Sequence, residues 1–167
     1  MDHRLTTTLS ATDLRLLRAA IELSARARAA GNQPYGALLA DAQGRVLLEA
    51  GNTQVTTGDC TGHAELNLVR AASLRFDRER LATCTVYASG EPCPMCAGAI
   101  YWAGVRRLVF GLSIETMTAL AGPDADELAL HCAELLASGT QRVEVLGPAL
   151  EDEARRVFDA PPVRAGR

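Results

Sequence analysis

Thr85-Val86-Tyr87-Ala88-Ser89-Gly90-Glu91-Pro92-Cys93-Pro94-Met95-Cys96-Ala97-Gly98-Ala99-Ile100-Tyr101-Trp102-Ala103 is the stretch that decides how this chain folds. Thr85 to Ser89 reads as a buried strand, and Cys93 to Ala103 reads as a helix that starts directly after Pro92. Arg107 to Phe110 follows as a second short run suited to a central strand. Upstream, Ala37 to Asp41 and Arg45 to Ala50 flank Ala42-Gln43-Gly44 and read as a hairpin. Ser10-Ala11-Thr12-Asp13 has the form of a capping start for a helix over 11 to 30, with Gly31 as its stop.

The remaining segments complete the pattern. Residues 51 to 62, rich in Gly, Thr and Asn, read as a loop, and His63 to Ser73 as a helix with Leu66, Val69 and Leu74 inward. Arg142 to Leu146 suits another central strand and Glu151 to Phe158 a closing helix, whereas 111 to 139 is the least legible part, interrupted by Gly122-Pro123-Asp124-Ala125-Asp126. An opening hairpin followed by alternating strands and helices implies an α/β fold: three layers, α-β-α, around a mixed, about five-stranded central sheet. Ligands of such sheets bind beyond the carboxyl ends of the parallel strands, and both cysteine- and histidine-bearing helices start at that edge. The 167 residues read as one domain, with Pro161 to Arg167 as a frayed tail.

Composition narrows the chemistry. All 17 basic residues are arginine, which excludes a lysine Schiff base or a lysine phosphate clamp. A net charge of −3 gives no global positive field to draw in a polyanion, which weighs against nucleic acid as a partner. The arginines of the 75, 78 and 80 cluster read as a solvated helix face. No apolar run approaches the length of a membrane span, and the first residues, Met1-Asp2-His3-Arg4-Leu5, lack the basic flank and apolar stretch of a secretory signal, so cytoplasmic residence is expected. Five cysteines in such a context point to metal or core roles before disulfides.

His63-Ala64-Glu65 and Pro92-Cys93-Pro94-Met95-Cys96 together match the two-part pattern H-x-E and P-C-x-x-C of zinc deaminases. Cysteines three apart share one helix face, and the positive end of the helix favours their thiolates, so Cys93 and Cys96 can chelate one ion. His63 supplies the third ligand as neutral imidazole, which leaves a fourth tetrahedral position for water, the mark of a catalytic Zn2+. Two thiolates offset the charge of zinc, so a local base is needed, and Glu65 is the candidate: it takes the proton of the attacking water, delivers it to a ring nitrogen, and later protonates the departing amine.

These residues resemble the cytidine-deaminase-like superfamily, in the branch that holds bacterial guanine deaminase, fungal cytosine deaminase and the tRNA-specific adenosine deaminase. The resemblance covers roughly residues 14 to 112 and implies hydrolytic deamination of a free nucleobase or related amino-heterocycle, with release of ammonia. Proline inside the cysteine pair and the Ile100-Tyr101-Trp102 that follows are similar to guanine deaminases, which puts guanine first, ahead of another aminopurine, cytosine or an amino-triazine. Pro34-Tyr35-Gly36-Ala37 resembles the family's first-strand opening and implies a pocket-wall role for Tyr35. Gly51-Asn52 resembles a segment whose asparagine reads the edge of the base, and backbone N–H groups at Ala64, at a helix start, add further substrate contacts. Asn52 reads equally as a turn residue after glycine. Trp102 stacks on a base or fills a subunit interface, the second being favoured because family members are oligomers; a homodimer is expected.

The chain departs from the family at Asp59-Cys60-Thr61-Gly62, and residues 113 to 140 do not match the acidic segment of guanine deaminases, where Asp124 or Asp126 would have to supply a second acid. Cys84 and Cys132 read as small buried hydrophobes. Two alternatives stay open: deamination of adenosine in tRNA, and a non-catalytic zinc module in which Cys60 closes a four-ligand site.

Overall fold

A computed structural model of the chain describes residues 8–124 and 126–159; the expected tail at 161–167 lies outside them. The capping pair forms, with the Ser10 hydroxyl accepting from the Asp13 N–H and the Asp13 carboxylate accepting from the Ser10 N–H. It opens helix α1 (Ala11–Ala29), which buries Leu16, Leu17, Ala20, Ile21, Leu23 and Ala27 on one stripe. The hairpin follows as β1 (Gly36–Ala40) and β2 (Val46–Gly51). Next come α2 (Gln54–Thr57), α3 (Ala64–Ser73), α4 (Arg78–Ala82), β3 (Thr85–Gly90), α5 (Pro94–Ala103) and β4 (Arg107–Leu112). The last elements are α6 (Ile114–Ala121), α7 (Cys132–Ala137), β5 (Glu144–Leu146) and α8 (Glu151–Asp159).

The five strands lie in the order β2-β1-β3-β4-β5. β1 pairs antiparallel with both β2 and β3, whereas β3–β4 and β4–β5 are parallel, so the sheet is mixed as expected. Side chains alternate across it. Ala37, Leu39, Val86, Ala88, Leu108 and Phe110 meet the layer of α3, α5 and α7. Leu38, Ala40, Tyr87, Val109 and Leu112 meet the layer of α1, α6 and α8. Covered on both faces, β1 and β3 are buried at every residue, and this is why they read as continuous apolar runs rather than alternating ones. The helix and sheet layers come close at Gly36, where a Cβ would stand 2.5 Å from the Ser24 nitrogen and 2.6 Å from the Ala20 carbonyl oxygen of α1.

Three expectations change. The loop over 51–62 contains the single turn α2, and α4 is an additional short helix opened by Asp77, whose side chain accepts from the Arg80 N–H. The run at 142–146 is not a central strand: β5 spans only 144–146, pairs with β4 alone and is half-buried along its length, because it closes the sheet's edge. The illegible segment holds two helices, α6 and α7, separated at Gly122-Pro123 where the interruption was expected. Among the described residues no helix is long and apolar enough to cross a membrane.

Candidate metal centre and cleft

β3 and β4 are parallel, so their carboxyl ends share one edge of the sheet. After β3 the chain passes through Glu91 and Pro92 to Cys93, the N-cap of α5, with Pro94 pre-set for the first helical turn. His63 is likewise the N-cap of α3, which packs against α5. Two helix starts therefore meet at the sheet edge. The His63 Nδ1 lies 3.6 Å from the Cys93 Sγ. One ligand atom from each of His63, Cys93 and Cys96 falls within 4.8 Å of the others, so the three expected ligands come together.

The electrostatics of this trio call for a cation. A hydrogen bond from Cys96 and another from His63 overcome burial at Cys93 and bring its thiol down to about 4. Cys96, hydrogen-bonded to that thiolate, buried, and close to Glu65, is pushed strongly upward. One thiolate thus forms readily and the second is held back by its neighbour's charge, a repulsion that a bound divalent ion would remove. The donor set, one imidazole and two sulfurs, suits zinc at a site with three protein ligands. Cys60, which a closed four-ligand site would require, is exposed and outside the trio.

Glu65, in the first turn of α3, is 5% exposed. Burial raises its carboxyl to about 7, with the Cys93 thiolate adding to the effect and His63 opposing it. A carboxyl poised there can both accept and return a proton near neutrality, as a general acid–base requires. Zinc, when bound, would supply the Lewis acidity that makes water nucleophilic at neutral pH. His63, Glu65 and Cys93 line a cleft of about 460 Å³, and Tyr35 and Asn52 line it too. Ala64, the first residue of α3, where helical N–H groups lack intrahelical partners, is fully buried and is not among the residues that line the cleft.

Asn52 makes the turn that one of its two readings expected. Its side-chain oxygen accepts from the Gln54 N–H at 3.0 Å and its amide donates to the Gln54 side chain at 2.7 Å, so it shapes the turn while facing the cleft. Trp102 is a correction as a contact to the base: it is 76% exposed on the outer face of α5 and is absent from the cleft lining. The buried side of α5 is set by Cys96, Ala97 and Ile100, and Trp102 falls off that stripe.

Several cleft residues were not singled out in the sequence. Glu91, Gln33 and Gln54 line it, and Met117, Leu120 and Phe158 bring apolar surface from α6 and α8. Tyr35 and Phe158 meet edge to face with centroids 5.7 Å apart. Gly90 keeps the space open, since a Cβ there would stand 2.5 Å from the Met117 sulfur. Of the two aspartates considered as a second acid, Asp126 lines the cleft together with Glu127, whereas Asp124 does not. The carboxylates of Glu127 and Glu65, after burial, push the Tyr35 hydroxyl upward. Glu127 carried no signal beyond being an acid in a loop, while Glu91 at least sat beside the cysteine motif.

Comparisons with known proteins agree with this geometry. A profile described as the cytidine and deoxycytidylate deaminase zinc-binding region matches residues 10–112. A probable cytosine deaminase of Schizosaccharomyces pombe is 41% identical over 150 residues, 89% of this chain and 91% of that protein. The guanine deaminase of Bacillus subtilis is 38% identical over 109 residues, 65% of this chain and 69% of that one. A solved structure from studies of A-to-I editing by tRNA:A34 deaminases superposes with a TM-score of 0.69 at 27% identity, covering 86% of this chain and 99% of the other. With three expected ligands gathered at the two helix starts and a buried glutamate beside them, the chain belongs to the cytidine and deoxycytidylate deaminase zinc-binding family.

Proposed function

We propose that this chain hydrolytically deaminates a free nucleobase, with His63, Cys93 and Cys96 holding Zn2+ and Glu65 moving the proton. The observation that carries this reading is the buried Glu65 carboxyl, raised to about 7, on the same cleft wall as His63 and Cys93. In this reading Glu65 accepts a proton from water and passes it to the ring nitrogen next to the amino-bearing carbon. It then takes the second proton from the hydroxyl that has added to that carbon and gives it to the amine, so that the C–N bond breaks, ammonia leaves and a carbonyl remains. Tyr35 and Phe158 would bound the ring, and Asn52 would face its edge.

Cleft charge favours a free base over a phosphorylated or polymeric substrate. Glu65, Glu91, Asp126 and Glu127 line the cleft, and no arginine is among its lining residues. Phosphate contacts would need cations there. Volume does not discriminate between a pyrimidine and a purine. The C-terminal third does bear on that choice, since Met117, Leu120, Asp126, Glu127 and Phe158 form one side of the cleft. A relative aligned over 89% of the chain necessarily includes much of that third, and it is a probable cytosine deaminase. Cytosine therefore moves ahead of guanine, the base that the cysteine motif alone favoured. A cytosolic homodimer, joined through the exposed face of α5, belongs to the same proposal.

The experiment is ammonia release from cytosine, guanine, adenine and an amino-triazine by zinc-replete protein, beside Glu65→Ala. Release from cytosine, or from one other base, that disappears in the variant supports the reading. Silence on all four together with inosine formation in an anticodon stem-loop would replace it with tRNA adenosine deamination.

A further inference from the structure

Glu91 is 5% exposed and takes no part in the chemistry assigned to the cleft. Its two carboxylate oxygens serve two different helices. Oε2 accepts from the Ile114 N–H at 3.1 Å, at the first residue of α6, and Oε1 accepts from the Cys132 N–H at 2.9 Å, at the first residue of α7. These are charge-assisted bonds to amides that have no intrahelical partner. α6 has a cap of its own in Ser113, but the N-cap of α7 is His131, whose side chain makes no capping bond. His131 instead ties sideways, its Nδ1 3.2 Å from Glu91 and its Nε2 3.1 Å from Glu115. With both oxygens of Glu91 already engaged by backbone amides, the cluster of Glu91, Glu115 and His131 reads as a clasp rather than as a second cation site.

Between α6 and α7, Asp126 and Glu127 line the cleft. The two helices that flank them are thus pinned by one buried carboxylate that stands two residues before the ligand Cys93. We infer that Glu91 is a positioning residue which ties the starts of α6 and α7 to the metal-bearing loop, so that the placement of Asp126 and Glu127 on the cleft wall depends on it while metal binding does not. Its bearing on substrate rests on the deaminase reading; its bearing on the cleft wall does not.

The test is Glu91→Gln, an isosteric change that leaves one acceptor oxygen for two amides. Hydrogen exchange at Ile114, Cys132, Asp126 and Glu127 is expected to accelerate about tenfold or more. Zinc should stay at one ion per chain, and KM for the base that the wild type deaminates should rise about tenfold with kcat changed less than about threefold. His131→Ala, which removes the imidazole ties to Glu91 and Glu115 but leaves both backbone bonds to Glu91 intact, should retain zinc and leave exchange at Ile114 and Cys132 unchanged. Glu115→Gln, which leaves both backbone bonds intact, should leave exchange at Ile114 and Cys132 unchanged. Unaltered exchange in Glu91→Gln overturns the clasp, as does loss of zinc, which would place the role of Glu91 in the metal loop. A fall in kcat at constant KM overturns its link to substrate. If the wild type deaminates no base, the exchange arm still decides on the clasp, and only the deaminase reading fails. Should Glu91→Gln not fold, Glu91→Asp, which keeps the charge but shortens its reach to the two amides, decides by the same readouts.

Discussion

A carboxyl raised to about 7 by burial is useful only if it has somewhere to send its proton, and Glu65 sits on the cleft wall beside His63 and Cys93. Replacing it with glutamine preserves shape and removes the titrating group. Glu65→Gln is expected to keep one zinc per chain by metal analysis while kcat falls about a thousandfold, within the span typical of a lost general acid–base. The residue scale is also where sequence reading reached furthest. His63, Cys93 and Cys96 were legible because metal chelation demands particular donors at particular spacings, and Glu65 because it stands two positions from one of those donors. Glu127 was illegible because any surface loop can carry an acid, and only the landing of that loop on the cleft gives it a role. Trp102 was legible as a large aromatic near the motif, but its direction depends on which stripe of α5 the sheet covers.

Elements are joined by polar ties as well as by apolar surface. Asp13 of α1 accepts from the Arg107 guanidinium of β4 at 2.7 Å and from the Tyr87 hydroxyl of β3 at 2.7 Å. Burial alone would raise the Asp13 carboxyl, yet these bonds, with those from Ser10, hold it well below its ordinary value of 3.8. A folded-state pKa depressed in this way contributes stability that is complete above the unfolded value and is lost as pH falls through it toward the folded one. Urea midpoints should therefore drop as pH is lowered from about 5 to about 2, and Asp13→Asn should flatten that slope while costing about 2 kcal/mol at neutral pH. The strand–helix–strand unit from Thr85 to Phe110 was legible because fully covered strands and a proline-led helix leave strong local patterns. α6 and α7 were not. Their caps come partly from Glu91 and Glu151, 23 and 38 residues away from the groups they hold, and no local window contains that information.

At the scale of the molecule, α5 is apolar on more sides than the sheet can cover. Met95 and Trp102 remain 38% and 76% exposed, and with Ala99 between them they make one outward stripe. Light scattering is expected to give twice the chain mass of 17.7 kDa, and Trp102→Glu should shift it to the monomer. Unchanged mass in the variant would move the interface elsewhere.

The three donors come from two helix starts thirty positions apart in the chain, His63 and Cys93. An ion held there is a cross-link that the polypeptide borrows from its surroundings, so resistance to heat becomes a property of the medium. Each tenfold increase in free zinc above the dissociation constant should add about 1.4 kcal/mol to the unfolding free energy, and stripping with a chelator should remove it. A midpoint of thermal unfolding that climbs with the logarithm of free zinc would show that the same atoms which arm the cleft also meter how long the fold survives when metal is scarce.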